Sequence, residues 1–233
     1  MIDAKALNLK IQEIKKRESF SSFMTKGVPI PALPTYSDVD WKTAGDQPFV
    51  EIAFGRSEVG GIYANEALCL VEAYRELKPK FTVEIGRYNG VSTRVLSACC
   101  KAYGGELLSI DGMQSQGVRK KLESMNLNEN VTLVEGWVPW ITPDFSWDID
   151  FLFIDGDHSY MSILVDYQYF NYFVKKGGYI AFHDLNIKES QDAVATILER
   201  DPLVQVAKVG RILIFRKESE RAEKYFQIVK RGK

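Results

Sequence analysis

The chain has 233 residues, 45% of them apolar and 26% charged, with a formal net charge of −1. That length can bury a full core in one enzyme-sized domain, and the balance is that of an ordinary soluble globule. Near-neutral charge excludes electrostatic steering to nucleic acid or an anionic membrane, no apolar run reaches the ~18 residues of a membrane span, and Met1-Ile2-Asp3-Ala4-Lys5 lacks the apolar stretch of a secretory leader.

Three cysteines, Cys69, Cys99 and Cys100, fall in predicted helices. Their odd number and lack of pairing pattern predict buried thiols in a reducing, cytoplasmic setting. Residues 1–60 read as an extension. Leu7, Ile11 and Ile14 line a short charged helix, and Gly27-Val28-Pro29-Ile30-Pro31-Ala32-Leu33-Pro34 forbids helix and sheet interior alike. The main domain then runs over 61–233. Asn65 is the expected N-cap of a helix from Glu66 to Leu77, which Pro79 stops.

Strands and helices alternate from there. Strands are predicted at Thr82–Ile85, Glu106–Ile110, Val131–Glu135, Ile149–Ile154 and, after a Gly177-Gly178 turn, Tyr179–Phe182. Helices are predicted at Ser92–Tyr103, near Gly117–Met125, at Ser162–Phe173 and at Ser190–Arg200. Val204–Val209 and Arg211–Arg216 form a hairpin about Gly210. This pattern predicts an α/β fold: a doubly wound, mainly parallel, seven-stranded sheet with an antiparallel C-terminal hairpin.

Ligands of such sheets sit beyond the carboxyl ends of the strands. Every tip here carries an acid or a histidine: Glu84, Asp111, Glu135-Gly136, Asp155-Gly156-Asp157-His158 and His183-Asp184. Turn chemistry alone favours Asp and Gly at a single tip, but five such tips, holding both histidines of the chain, point to a site. The first tip is the most informative. In Phe81-Thr82-Val83-Glu84-Ile85-Gly86-Arg87-Tyr88-Asn89-Gly90-Val91-Ser92-Thr93, a buried strand ends in an acid and two spaced glycines, and a helix follows. Gly86 permits the sharp turn and Gly90 a close backbone approach. The spacing is E-x-G-x-x-x-G, not the G-x-G-x-x-G of pyrophosphate sites, and a carboxylate suits a cationic or hydroxyl-bearing ligand better than phosphates. Asp111, 21 residues after Gly90, stands where a carboxylate holds a ribose diol; a cap or turn role is the alternative. Gly136 and Trp137 could offer an amide and an indole to an adenine, or Trp137 could simply pack.

These segments resemble a known family. Glu84-Ile85-Gly86, Phe151-Leu152-Phe153-Ile154-Asp155-Gly156-Asp157-His158-Ser159-Tyr160 and Gly177-Gly178-Tyr179-Ile180-Ala181-Phe182-His183-Asp184 are similar to motifs of class I S-adenosylmethionine-dependent methyltransferases of the "methyltransferase domain 24" type. Macrolide sugar O-methyltransferases, cephalosporin hydroxylase-like proteins and, more distantly, catechol O-methyltransferase share the architecture. The resemblance runs from about Ile62 to Phe215. It implies O-methyl transfer to a hydroxyl of a small molecule, with S-adenosylmethionine as cofactor. It places Glu84, Gly86, Tyr88, Gly90, Ser92, Asp111, Gly112, Gly136, Trp137 and Asp155 around that cofactor. It further implies a divalent cation, Mg²⁺ or Mn²⁺, at Asp155, His183 and Asp184. His183 departs from the acidic residue common at its position, which lowers the expectation of Mg²⁺ and raises that of Mn²⁺, Fe²⁺, Co²⁺ or Zn²⁺. It stands equally as a neighbour of the ligands, or as a partner of Asp155 with no ion. His158 matches the position of a general base. Asp157 could orient it, cap the next helix or ligate.

Of the aromatic residues after strand four, Tyr160 alone is a pocket candidate, since Tyr167, Tyr169, Phe170, Tyr172 and Phe173 follow a helical packing rhythm. Trp137, Trp140 and Trp147 either wall the acceptor site or close a rim. Three other readings compete. His158, His183 and Asp155 have the composition of a non-haem iron triad, the fold could serve an NAD-dependent oxidoreductase, or the domain could bind cofactor and be catalytically idle. The acceptor and the oligomeric state are not legible.

Overall fold

The computed structural model describes residues 61–141 and 145–219. The predicted extension over 1–60, with its short helix and proline run, lies outside the described residues. Helix α1 (Ala64–Leu77) precedes β1 (Phe81–Ile85), followed by α2 (Val91–Tyr103), β2 (Glu106–Asp111), α3 (Gln116–Ser124), β3 (Val131–Glu135) and a short α4 (Val138–Ile141). The second half runs β4 (Ile149–Ile154), α5 (Tyr160–Asn171), β5 (Val174–Phe182), α6 (Lys188–Arg200), β6 (Leu203–Val209) and β7 (Ile212–Lys217). The seven strands order as β3-β2-β1-β4-β5-β7-β6. The five strands from β3 to β5 are parallel, and β7 runs antiparallel between β5 and β6. The predicted sheet is therefore the observed one.

Chain order reverses between β1 and β4, which opens the ligand crevice of a doubly wound sheet beside β1. Every residue of β1 is buried, because the strand sits mid-sheet with helices on both faces. Val83 and Ile85 pack with Leu152, Ile154 and the helices α5 and α6. Thr82 and Glu84 point to the opposite face, where Thr82 meets Tyr74 of α1 and Glu84 meets Thr93 of α2. Alternation along one strand thus places a carboxylate inside a layer otherwise built from Leu70, Val95, Leu96 and Phe151.

Several boundaries differ from expectation. The N-cap of α1 is Tyr63, not Asn65, because Glu66 accepts the Tyr63 N–H at 2.7 Å and so starts the helix earlier. Strand β5 begins at Val174, so Gly177 and Gly178 lie within it; a register shift against β4 absorbs the Gly177 φ of +81°. Helix α5 starts at Tyr160 under a Ser159 cap, and α6 starts at Lys188. The short α4 was not predicted. All three cysteines are free and buried, and burial pushes the Cys69 and Cys100 thiols up to about 12. No helix among the described residues is long and apolar enough to cross a membrane.

Candidate active site

Backbone hydrogen bonds tie the strand tips together before any side chain acts. Asp155 N donates to Ile85 O at 2.8 Å, Gly86 N to Ile110 O at 2.8 Å and Gly136 N to Asp111 O at 2.9 Å. The last bond uses the Gly136 amide, the candidate donor to an adenine. Gly136 therefore holds β3 to β2 rather than presenting a free donor.

Glu84 is fully buried. Its Oε2 accepts the hydroxyls of Thr93 at 2.7 Å and Ser109 at 2.5 Å, whereas Oε1 finds no hydrogen-bond partner. Burial pushes the carboxyl up to about 7, against the Ser109, Ser92 and Thr93 hydroxyls that favour charge. The Ser92 hydroxyl is thus close enough to help without completing a bond to Oε1. A buried carboxylate oxygen left open at a strand tip fits a ligand that brings a cation or a donor.

The sign of the linkage is testable. With a folded pKa above the ordinary 4.5, the native state keeps a proton that the unfolded chain has released, so this stabilisation is lost as pH rises through about 7. Glu84→Gln lacks that dependence. Its stability relative to wild type is expected to shift by about 3 kcal/mol in its favour between about pH 5 and about pH 8 in ligand-free chemical unfolding. A pH-independent difference would contradict the buried, proton-holding Glu84.

Asp111 is busier than expected. Oδ2 accepts the amides of Arg87 at 2.8 Å and Tyr88 at 3.0 Å, and Oδ1 accepts that of Met113 at 2.7 Å. A carboxylate offers about four acceptor sites, so Asp111 ties down the loop after β1 and retains room for about one hydroxyl, not two. Arg87 completes this lock and was missed from sequence. Its buried guanidinium donates to Ser109 O and Val134 O at 2.9 Å each and to Met113 O at 3.1 Å. Tyr88, with φ of +43°, and Trp137 are 58% and 56% exposed on the rim. The indole of Trp137 covers Gly112, where a Cβ would come within 2.9 Å of it.

The tips of β4 and β5 meet in a charged cluster. One ligand atom from each of Asp155, His183 and Asp184 lies within 4.8 Å of the other two. His183 Nδ1 is 2.7 Å from Asp155 Oδ1 and 3.2 Å from Asp184 Oδ2, while Nε2 is 3.1 Å from Glu66 Oε2. Burial would lower the His183 pKa, but hydrogen bonds to Asp155, Asp184 and Glu66 win and hold it up at about 11 in the absence of an ion. Burial raises Asp155. Asp184, despite burial, is held below the usual range by His183, His158 and Arg211. Its φ of +52° is rare for a side-chain-bearing residue and marks a strained tip. Arg211 donates from Nη1 to Asp184 Oδ1 at 2.8 Å.

His158 stands at the outer edge of this cluster. Its side chain is 44% exposed, with Nε2 at 3.3 Å from Asp184 Oδ2. Asp184, not Asp157, is its carboxylate partner. Asp157 accepts from Ser159 N and from the hydroxyls of Ser159 and Ser162, so it serves the start of α5. The converging donor set is two carboxylates and one imidazole, so the two-histidine triad does not assemble. Tyr160, the pocket candidate, is partly buried against the core, and its hydroxyl pairs with Thr196 of α6 at 3.0 Å. Trp147 packs beside Phe145 and Phe81 at the start of β1, the end of the sheet opposite the strand tips. It cannot wall the site, since it precedes β4 instead of following it. The Trp140 side chain lies outside the described residues.

A doubly wound seven-stranded sheet with acidic tips and no pyrophosphate loop defines a class I methyltransferase fold. Residues 83–185 match the family model described as a methyltransferase domain, of the "methyltransferase domain 24" type. That stretch holds the strand tips from Glu84 to Asp184. Solved structures share the fold. An O-methyltransferase from Bacillus cereus in complex with S-adenosylhomocysteine has a TM-score of 0.59 and 18% identity, with 76% of this chain and 94% of that one covered. A S-adenosylhomocysteine-bound methyltransferase from Podospora anserina has a TM-score of 0.61 and 13% identity, with 80% and 100% covered. An uncharacterized protein of Acanthamoeba polyphaga mimivirus is 31% identical over 112 residues, 44% of this chain. The chain spans about half the length of that curated relative, 50% of it.

Proposed function

We propose that this domain transfers a methyl group from S-adenosylmethionine to a hydroxyl of a small molecule, with a divalent cation at the strand-four and strand-five tips. The observation that carries the reading is the assembly of His158, Asp155 and Asp184 in one cluster at the tips of β4 and β5, beside the β1 strand whose buried Glu84 carboxylate has an open oxygen. Glu84, Gly86, Tyr88, Gly90 and Ser92 would hold the methionine end of the cofactor, Asp111 and Gly112 the ribose, Trp137 the adenine, with Asp155 at the crevice floor. S-adenosylmethionine supplies the electrophilic methyl group. Asp155, His183 and Asp184 would hold the divalent cation, which would supply Lewis-acid polarisation of an acceptor hydroxyl.

The residues of the chain do the rest. Asp184 Oδ2, 3.3 Å from His158 Nε2, would hold that side of the ring, so that Nδ1 is the nitrogen to accept the hydroxyl proton. Half-exposure of the ring lets an acceptor reach it from solvent. Asp184 orients the ring and disperses the charge that forms on it. Bonds from Asp111 to the loop amides hold the β1 tip rigid, which limits the ordering cost of binding.

The test is product identity. The protein is incubated with S-adenosylmethionine and a panel of sugars and phenols, and products are read by mass spectrometry. An O-methyl ether formed only with active protein is the expected result. Methylation confined to nitrogen or carbon acceptors would overturn the reading.

A further inference from the structure

We infer that Glu66, in the first turn of α1, is a positioning residue for the cation centre: it holds His183 with Nε2 protonated and Nδ1 turned to Asp155 and Asp184, so that the centre is a mixed nitrogen–oxygen site. The inference rests on the cation reading above. Glu66 lies outside the strand tips and is fully buried. Its Oε2 accepts from His183 Nε2 at 3.1 Å, on the side of the ring away from Asp155. A ligating imidazole needs its second nitrogen held in this way: a carboxylate on the far N–H fixes ring orientation and tautomer and raises the basicity of the nitrogen that binds the ion.

Glu66 is itself immobilised. Arg211 donates its backbone N–H to Oε1 at 2.8 Å, Nε to Oε1 at 3.0 Å and Nη2 to Oε2 at 2.9 Å. The Tyr63 amide adds a donor at 2.7 Å, and the Tyr63 ring lies 4.2 Å from the guanidinium carbon of Arg211. Gly210 permits the approach, since a Cβ there would come within 2.7 Å of Oε1. With amides, the guanidinium and the His183 ring around it, Glu66 uses both oxygens as acceptors. A role limited to anchoring α1 on the β6–β7 hairpin accounts for Arg211 and the amides. It does not account for any effect on which ion binds.

A nitrogen ligand disfavours Mg²⁺ relative to Mn²⁺, and this gives the test. Full-length wild type and Glu66→Gln are titrated calorimetrically with MnCl₂ and, separately, MgCl₂, with thermal unfolding as the check of folding. The wild type is expected to bind Mn²⁺ more tightly than Mg²⁺. Glu66→Gln is expected to weaken Mn²⁺ by about 10- to 100-fold and to narrow that preference. A folded Glu66→Gln with unchanged Mn²⁺ affinity and preference would overturn the positioning role while leaving the cation reading intact. A wild type that binds neither ion would overturn both. If Glu66→Gln does not fold, nitrogen NMR of His183 in Zn²⁺-loaded wild type decides. A proton on Nε2 with the ion on Nδ1 is expected, and the reverse arrangement overturns the inference.

Discussion

Replacement of Gly86 by alanine is expected to cost at least about 4 kcal/mol of stability and to abolish cofactor binding. Gly86 has a φ of +85°, which a side chain disfavours whatever the space. There is also no space. A Cβ would lie 2.0 Å from Asp155 O, 2.4 Å from Asp155 C and 2.6 Å from Gly156 Cα. These are backbone atoms, and Asp155 N is bonded to Ile85 O at 2.8 Å, so they cannot yield without parting the tips of β1 and β4. That is the crevice in which the fold places its ligand. Thermal unfolding should show a midpoint lower by about 8–16 °C for a domain of this size. Gly117→Ala is the control: nothing lies within 4 Å of a Cβ there, and α3 gains a better helix former. A Gly86→Ala protein as stable as Gly117→Ala would refute the close approach of the two loops.

The second large effect concerns His158. His158→Ala is expected to lower kcat by about 10²–10⁴ with S-adenosylhomocysteine affinity nearly unchanged. The side chain is half-exposed and lies 3.3 Å from Asp184, so its loss should leave folding intact. Asp184 keeps His183 and Arg211 as partners. A rate defect without a stability defect therefore isolates the proton transfer. Turnover near that of wild type with an identified acceptor would assign His158 a structural role.

The sheet was legible because its strands are runs of β-branched and aromatic residues bounded by Gly, Asp and Pro. Val131–Glu135 and Ile149–Ile154 were read without a boundary error. Where local chemistry was ambiguous, the reading slipped. Lys175-Lys176-Gly177-Gly178 looks like a turn in isolation, yet it lies inside β5 as an irregularity between Val174 and Tyr179, which both pair with β4. Asn65 looks like a cap, yet the bond from Tyr63 N to Glu66 makes Tyr63 the cap and starts the helix at Ala64.

The site was legible in its strand-tip residues, whose positions follow from topology, but not in their partners. Glu66 and Arg211 are 145 residues apart, and neither carries a local signal; an acid in a first helical turn usually reads as a complement to the helix dipole. Arg87 was hidden in the same way, because a charged residue in a glycine loop gives no hint that it will be buried under carbonyls from β2 and β3. Likewise, the position of Asp111 announced a ribose contact, while its three amide bonds appear only when the loop is folded.

The central claim is that the crevice between β1 and β4 is a S-adenosylmethionine site. Calorimetric titration with S-adenosylhomocysteine tests it most directly, with NAD as the competing nucleotide and Glu84→Ala as the site control. Saturable binding of S-adenosylhomocysteine at one site, lost in Glu84→Ala, with no heat from NAD, is the result this account requires. Binding of NAD without S-adenosylhomocysteine, or S-adenosylhomocysteine binding indifferent to Glu84, would contradict it.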